Sequence, residues 1–215
     1  MLGVVGLIVL AFIGYMIYRG KTSAITEPVT ITDEQRAVVE ARISEIKSQL
    51  KTCDECSQLY TQLGIDYESL GKISWALDAY EGAAEADGKN YVPYSNMGSI
   101  YRRLKDYTKA EEAFKQAISL TPNNPSVYTK MIEMRWLDQR GAPHEVDPIF
   151  QQAFKDTNYD RNLIRLYAYY GEKINDPLTS IAAWKAILQF EPDNEAAKQA
   201  LAEAEQKARE QGLIE

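Results

Sequence analysis

The residues of this chain whose types and spacing could make or break a bond are Cys53 and Cys56, in the run Cys53-Asp54-Glu55-Cys56. A CxxC spacing serves as half of a zinc site, as a redox pair, or as two thiols with no joint role. Zinc takes four ligands, yet the chain has no third cysteine, and its one histidine, His144, lies about ninety residues away. Redox catalysis of the thioredoxin type wants the pair at the start of a helix that follows a strand, where the helix dipole lowers the first thiol's pKa. Here the pair follows a predicted helix, and the acids Asp54 and Glu55 between the thiols push their pKa up. The expectation is a structural or incidental pair. A regulatory or structural disulfide stands next, and metal binding or catalysis last.

Nothing else in the sequence assembles a catalytic set, a phosphate loop or a metal cluster, so no catalytic residue, metal or cofactor is expected, and no small-molecule substrate. The formal net charge is −7 and no cluster of Lys and Arg interleaves with aromatic residues, which argues against nucleic-acid binding. All of that charge lies beyond the first eighteen residues, since Arg19 is the first charged side chain.

The cysteines sit between two kinds of helical sequence. Before them, Thr32 or Asp33 caps a helix to about Leu50, with Val39, Ile43, Ile46 and Leu50 on one face. That stripe is under two heptads long, so packing on the neighbouring helices is expected over coiled-coil pairing, with self-association through it left open. After them, residues 91–124 read as a helix, a turn and a second helix, with Tyr94, Met97, Gly98, Tyr101, Ala110, Phe114, Ala117 and Pro122 in fixed order. Stepping thirty-four residues toward the N-terminus meets Tyr60, Leu63, Gly64, Tyr67, Ala76, Tyr80 and Ala83, the same chemistry at the same offsets.

This order resembles the tetratricopeptide (TPR) repeat. The resemblance implies an all-α fold, a helix-turn-helix solenoid of about four repeats at 57–90, 91–124, 125–160 and 161–194. It is strong in the first two and degenerate in the third, where Ile132 takes the Gly place, Arg135 the Tyr place, and two residues are inserted near Gly141-Ala142-Pro143. The fourth keeps Tyr167, Trp184 and Pro192, with Ala168 for Gly. The repeat-defining residues are thus Gly64, Tyr67, Ala76, Gly98, Tyr101, Ala110, Pro122 and Pro192. Small residues let the paired helices approach, and the prolines end second helices. Residues 195–211 form a polar, Ala-rich capping helix, and 33–52 hold the amphipathic helix before the repeats.

In the TPR family the first helix of each repeat lines a concave wall that binds a peptide or a partner's helix. Carried over position by position, that wall holds Gln58, Thr61, Ile65 and Glu68, then Val92, Ser95, Ser99 and Arg102, in the first two repeats. The last two add Ser126, Thr129, Glu133 and Trp136, then Asn162, Arg165, Tyr169 and Glu172. The partner-binding candidates are Arg102, Trp136, Arg165, Tyr169, Ser95 and Ser99, because exposed Arg and aromatic side chains supply most interface energy. The alternative buries Trp136 and Tyr169 between repeats and leaves the arginines to solvent. The carboxylate clamp of chaperone-binding TPR domains is not expected: only Asn96 and Lys130 match it, while Thr61, Ile65 and Ser126 depart.

Residues 2–18, from Leu2 to Tyr18, carry no charge and are followed by Arg19 and Lys21. They read as a single transmembrane anchor (1–19) on a polar tether (20–32), with a cleaved signal as the competing reading. The cations on the C-terminal flank predict an N-out, C-in orientation with the solenoid in the cytoplasm. The expected function is therefore a membrane-anchored, non-enzymatic adaptor that binds a protein. The alternatives are an extracytoplasmic assembly or quality-control factor of the same fold and, remotely, a thiol redox enzyme using Cys53 and Cys56.

Overall fold

The computed structural model describes residues 31–53, 56–139 and 142–215, and among these there are ten α-helices, one π-helical segment and no strand. The expected anchor and all but the last two residues of the tether lie outside the described residues. Among the described residues no helix is long and apolar enough to cross a membrane.

The chain divides into two compact units at Leu120 and Thr121. In the first, α1 (Asp33–Gln49) precedes two hairpins, α2 (Ser57–Ser69) with α3 (Ile73–Ala86) and α4 (Tyr91–Arg103) with α5 (Tyr107–Leu120). Helix α1 starts on a capping box: the Gln35 N–H donates to the Thr32 hydroxyl at 3.1 Å, and the Thr32 N–H donates to Gln35 Oε1 at 2.9 Å. Its Ile43 and Ile46 are buried in one core with Leu63, Tyr67, Leu70, Ile73, Leu77, Tyr80, Met97 and Ile100, so the short stripe packs on the adjoining hairpins.

The repeat glycines sit under aromatic rings. A Cβ on Gly64 would stand 2.5 Å from Tyr80 Cε1, and one on Gly98 would stand 2.6 Å from Phe114 Cε1. Tyr80 and Phe114 are fully buried, as are Ala76, Ala83, Ala110 and Ala117, so the ring of the second helix occupies the space the glycine leaves in the first. The bend inside three of the hairpins repeats as well. Gly71, Lys105 and Asn175 hold φ values of 70°, 60° and 62°, and each is followed by an amide that bonds back five residues. Those bonds run from the Lys72 N–H to the Tyr67 carbonyl, Asp106 to Tyr101, and Asp176 to Gly171.

In the second unit, α6 (Pro125–Glu133) runs on as the π-helical segment Met134–Asp138, then come α7 (Asp147–Asp156), α8 (Arg161–Lys173), α9 (Pro177–Phe190) and α10 (Glu195–Glu210). Ile132 is fully buried in the place that Gly64 and Gly98 hold in the regular hairpins. Past it the ladder widens, the Gln139 N–H reaching the Met134 carbonyl at 3.1 Å, and a π turn takes up extra residues inside a helix. Helix α10 buries Ala197, Ala204 and Ala208 and leaves most of its polar face to solvent. Its small buried residues let it lie close on α9.

Candidate functional site

The first helix of each hairpin was expected to carry the binding residues, and the two units present different faces there. In the first unit that face is largely closed on itself. Ser95 is only 4% exposed, the Ser99 hydroxyl donates to the Ser95 carbonyl at 3.0 Å, and the Thr61 hydroxyl donates to the Ser57 carbonyl at 2.8 Å. Glu68 is held by the Tyr80 hydroxyl at 3.1 Å and by Arg103 at 2.8 Å. Arg102 is half-buried near the end of α4, and Ile65 is the exposed apolar member of the face.

The second unit brings Trp136 and Tyr169 together. Their rings meet edge to face, with centroids 5.7 Å apart, and Trp136 makes a second edge contact with buried Tyr170 at 5.1 Å. Trp136 lies in the π turn and is half-buried; Tyr169 is 45% exposed and carries the Lys173 ammonium 5.0 Å above its ring. Trp136 is thus anchored in the protein, and the pair reaches solvent through Tyr169. Leu137, next to Trp136, is exposed too.

Support for this pair comes from below. Tyr170 packs among Phe150, Tyr167 and Trp136, and its hydroxyl accepts the His144 N–H at 2.6 Å, which ties the loop before α7 to α8. Burial pushes the Tyr170 phenol up to about 12, so it stays a neutral group there. His144, held in the left-handed region at φ 70°, places its Nδ1 2.9 Å from Asp147 Oδ2.

Arg165 is not simply presented to a ligand. Its guanidinium lies 2.5 Å from Glu191 and 3.3 Å from the Asn162 side-chain oxygen, with Arg161 also 3.7 Å from Glu191. Asn194 and Arg165 hold the Glu191 carboxyl below its usual range. The arrangement clamps the end of α9 to α8.

The cysteines, expected as a structural or incidental pair with a disulfide as the next reading, are joined as a disulfide with Cα atoms 5.7 Å apart. Cys56 stands at the N-cap of α2, so the pair does open a helix as well as follow one. Among the described residues no group of three His, Cys, Asp or Glu could hold a metal ion.

Two features were missed from sequence. Arg42 on α1 grips fully buried Asp66 on α2 in a forked pair, Nε to Oδ2 at 2.8 Å and Nη2 to Oδ1 at 2.5 Å, and the Asp66 hydrogen bond and charge raise the Arg42 pKa. Exposed Trp75 lies edge-on to Tyr67 at 5.2 Å, with Lys47 and Lys72 at 5.7 and 5.3 Å from its ring. The Arg42–Asp66 and Lys47–Trp75 contacts join residues more than twenty positions apart across helices, where spacing along the chain carries no signal; an acid within the apolar run of α2 was the one available hint.

The family model described as tetratricopeptide repeat matches residues 91–124. A protein called uncharacterized protein ycf37, from Pyropia yezoensis, is 34% identical over 68 residues, which is 32% of this chain and 38% of that protein, so the chain matches well under half the relative's length. Among solved structures, the MamA protein is similar with a TM-score of 0.54 at 17% identity, covering 75% of this chain and 85% of MamA. YrrB, described as a TPR protein with an unusual peptide-binding site, aligns with a TM-score of 0.54 at 15% identity over 79% of this chain and 85% of its own. Residues 91–124 match the tetratricopeptide repeat, and the described residues have an all-α, TPR-like solenoid fold.

Proposed function

We propose that this protein is a non-enzymatic adaptor that residues 2–18 hold at a membrane and that captures a peptide or helix of a protein partner. The observation that carries the proposal is the Trp136–Tyr169 pair, a partly exposed aromatic contact on the first-helix side of the second unit, propped from within by Tyr170. Rigid aromatic side chains supply contact area at small entropic cost, which suits them to anchor a partner. YrrB, of similar fold, is described as having a peptide-binding site, which lends the reading support by analogy of fold alone. An anchor raises the local concentration of the binding face for membrane-bound partners, so a weak peptide contact suffices.

The test pairs two variants of the full chain. Trp136→Ala with Tyr169→Ala is expected to abolish recovery of cross-linked partner from membranes with the helical circular dichroism unchanged; undiminished recovery would refute the site. Deleting residues 2–18 is expected to move the protein from the membrane pellet to the supernatant, and its retention in the pellet would refute the anchor.

A second reading, an extracytoplasmic assembly or quality-control factor, is favoured by the Cys53–Cys56 disulfide, since thiols pair and stay paired in oxidising compartments. The cations Arg19 and Lys21 favour the cytoplasmic side instead.

A further inference from the structure

We propose that Cys53 and Cys56 form a reversible thiol–disulfide exchange site whose state sets how firmly helix α1 is held on the first hairpin. The proposal stands apart from the partner-binding face and from the side of the membrane on which the solenoid lies.

The two sulfurs are unequal. Cys53 is half-buried, while Cys56 is 7% exposed, so Cys53 is the more accessible of the two. Cys56 also occupies the N-cap of a thirteen-residue helix whose first turn carries no acidic residue and whose cap makes no side-chain hydrogen bond. The free amides there favour a negative sulfur, which makes Cys56 the better leaving group when Cys53 is attacked.

The exchange balances with a dithiol as reductant. One thiolate of the dithiol attacks Cys53 Sγ, forming a mixed disulfide as the Cys53–Cys56 bond breaks, and Cys56 leaves as a thiolate. The second thiolate of the dithiol then displaces Cys53, so the dithiol becomes a disulfide. The two protons it gave up are taken by Cys53 and Cys56.

Placement gives the bond its consequence. The start of α2 is fixed: the Ser57 hydroxyl donates to the Ala83 carbonyl at 2.9 Å and accepts from the Asn90 amide at 3.0 Å. Cys53, by contrast, follows the end of α1, with only residues 50–52 between that helix and the bridge. The disulfide therefore ties the residue that follows α1 directly to the fixed start of α2. Helix α1 is also held by Ile43 and Ile46 in the core, with Val39 and Leu50 packed against it, by the Arg42–Asp66 pair and by Lys47 over the Tyr67 and Trp75 rings, so loosening it uncovers Leu63, Tyr67 and the buried Asp66 carboxylate.

The test uses the full chain in glutathione buffers of graded ratio, with free thiols trapped by alkylation and counted by mass spectrometry, and hydrogen exchange read on the peptide covering α1. The pair is expected to pass between bridged and free within that range. Amides of α1 are expected to exchange at least about tenfold faster after reduction with dithiothreitol, while those of α4 keep their rate. Cys53→Ser with Cys56→Ser is expected to give the fast rate with or without dithiothreitol. Failure to form the intramolecular disulfide at any ratio, or equal α1 exchange in both states, overturns the proposal.

Discussion

At the scale of single residues, the hairpin bends show how chemistry and backbone disagree at one point. Gly71 takes the left-handed conformation without cost, but Lys105 adopts φ 60° in the equivalent bend and carries a Cβ there. Lys105→Gly is expected to stabilise the protein by about 0.5–1 kcal/mol in a denaturant titration, the relief of strain exceeding the added freedom of the unfolded chain. Glu191 gives a pH prediction. Asn194 and then Arg165 lower its pKa from 4.5, so its contribution is complete above that value and is lost as pH falls through the lower folded value. Wild type is therefore expected to exceed Glu191→Gln in thermal stability at neutral pH, with the difference vanishing well below pH 4.5.

At the scale of elements, α1 is part of the first unit's core and not a spacer. Its fork to Asp66 joins a charge with a 46% exposed side chain to one with 1%. Removing the acid frees Arg42 to solvent but leaves Gln62 without an acceptor it reaches at 3.0 Å. Asp66→Ala is expected to cost about 1–3 kcal/mol and to speed hydrogen exchange in α1 before the rest of the unit. Unchanged exchange there would show that the isoleucines alone seat the helix. The π turn is the other element that sets a site, because it holds Trp136 where α8 can meet it through Tyr169 and Tyr170. A regular α-helical continuation would turn Trp136 to a different side, since each π turn carries an additional residue.

At the scale of the whole molecule, the expected topology and the disulfide pull toward opposite compartments, and one measurement separates them. On the cytoplasmic proposal, a membrane-impermeant thiol reagent is expected to label Cys53 or Cys56 only after cells are permeabilised; labelling in intact cells, or only after external reduction, would place the solenoid outside.

The sequence by itself determined the helical repeat. Tyr, Gly, Ala and Phe at a thirty-four-residue period leave one packing solution, a ring of the second helix over a glycine of the first, and Gly64 with Tyr80 and Gly98 with Phe114 adopt it. The seat of α1 was legible too, from the stripe through Ile43 and Ile46. The candidate site was legible only as positions. Tertiary structure decided which of them stay available: Ser95 is buried, Arg165 is bound to Glu191, and Trp136 and Tyr169 meet. It also decided that Arg42 reaches Asp66 and that Cys56 begins a helix. Periodicity reports which face of a helix is covered, because burial follows the helical turn. Ion pairs and ring contacts between helices depend on the register of one against another, which no spacing within either helix records.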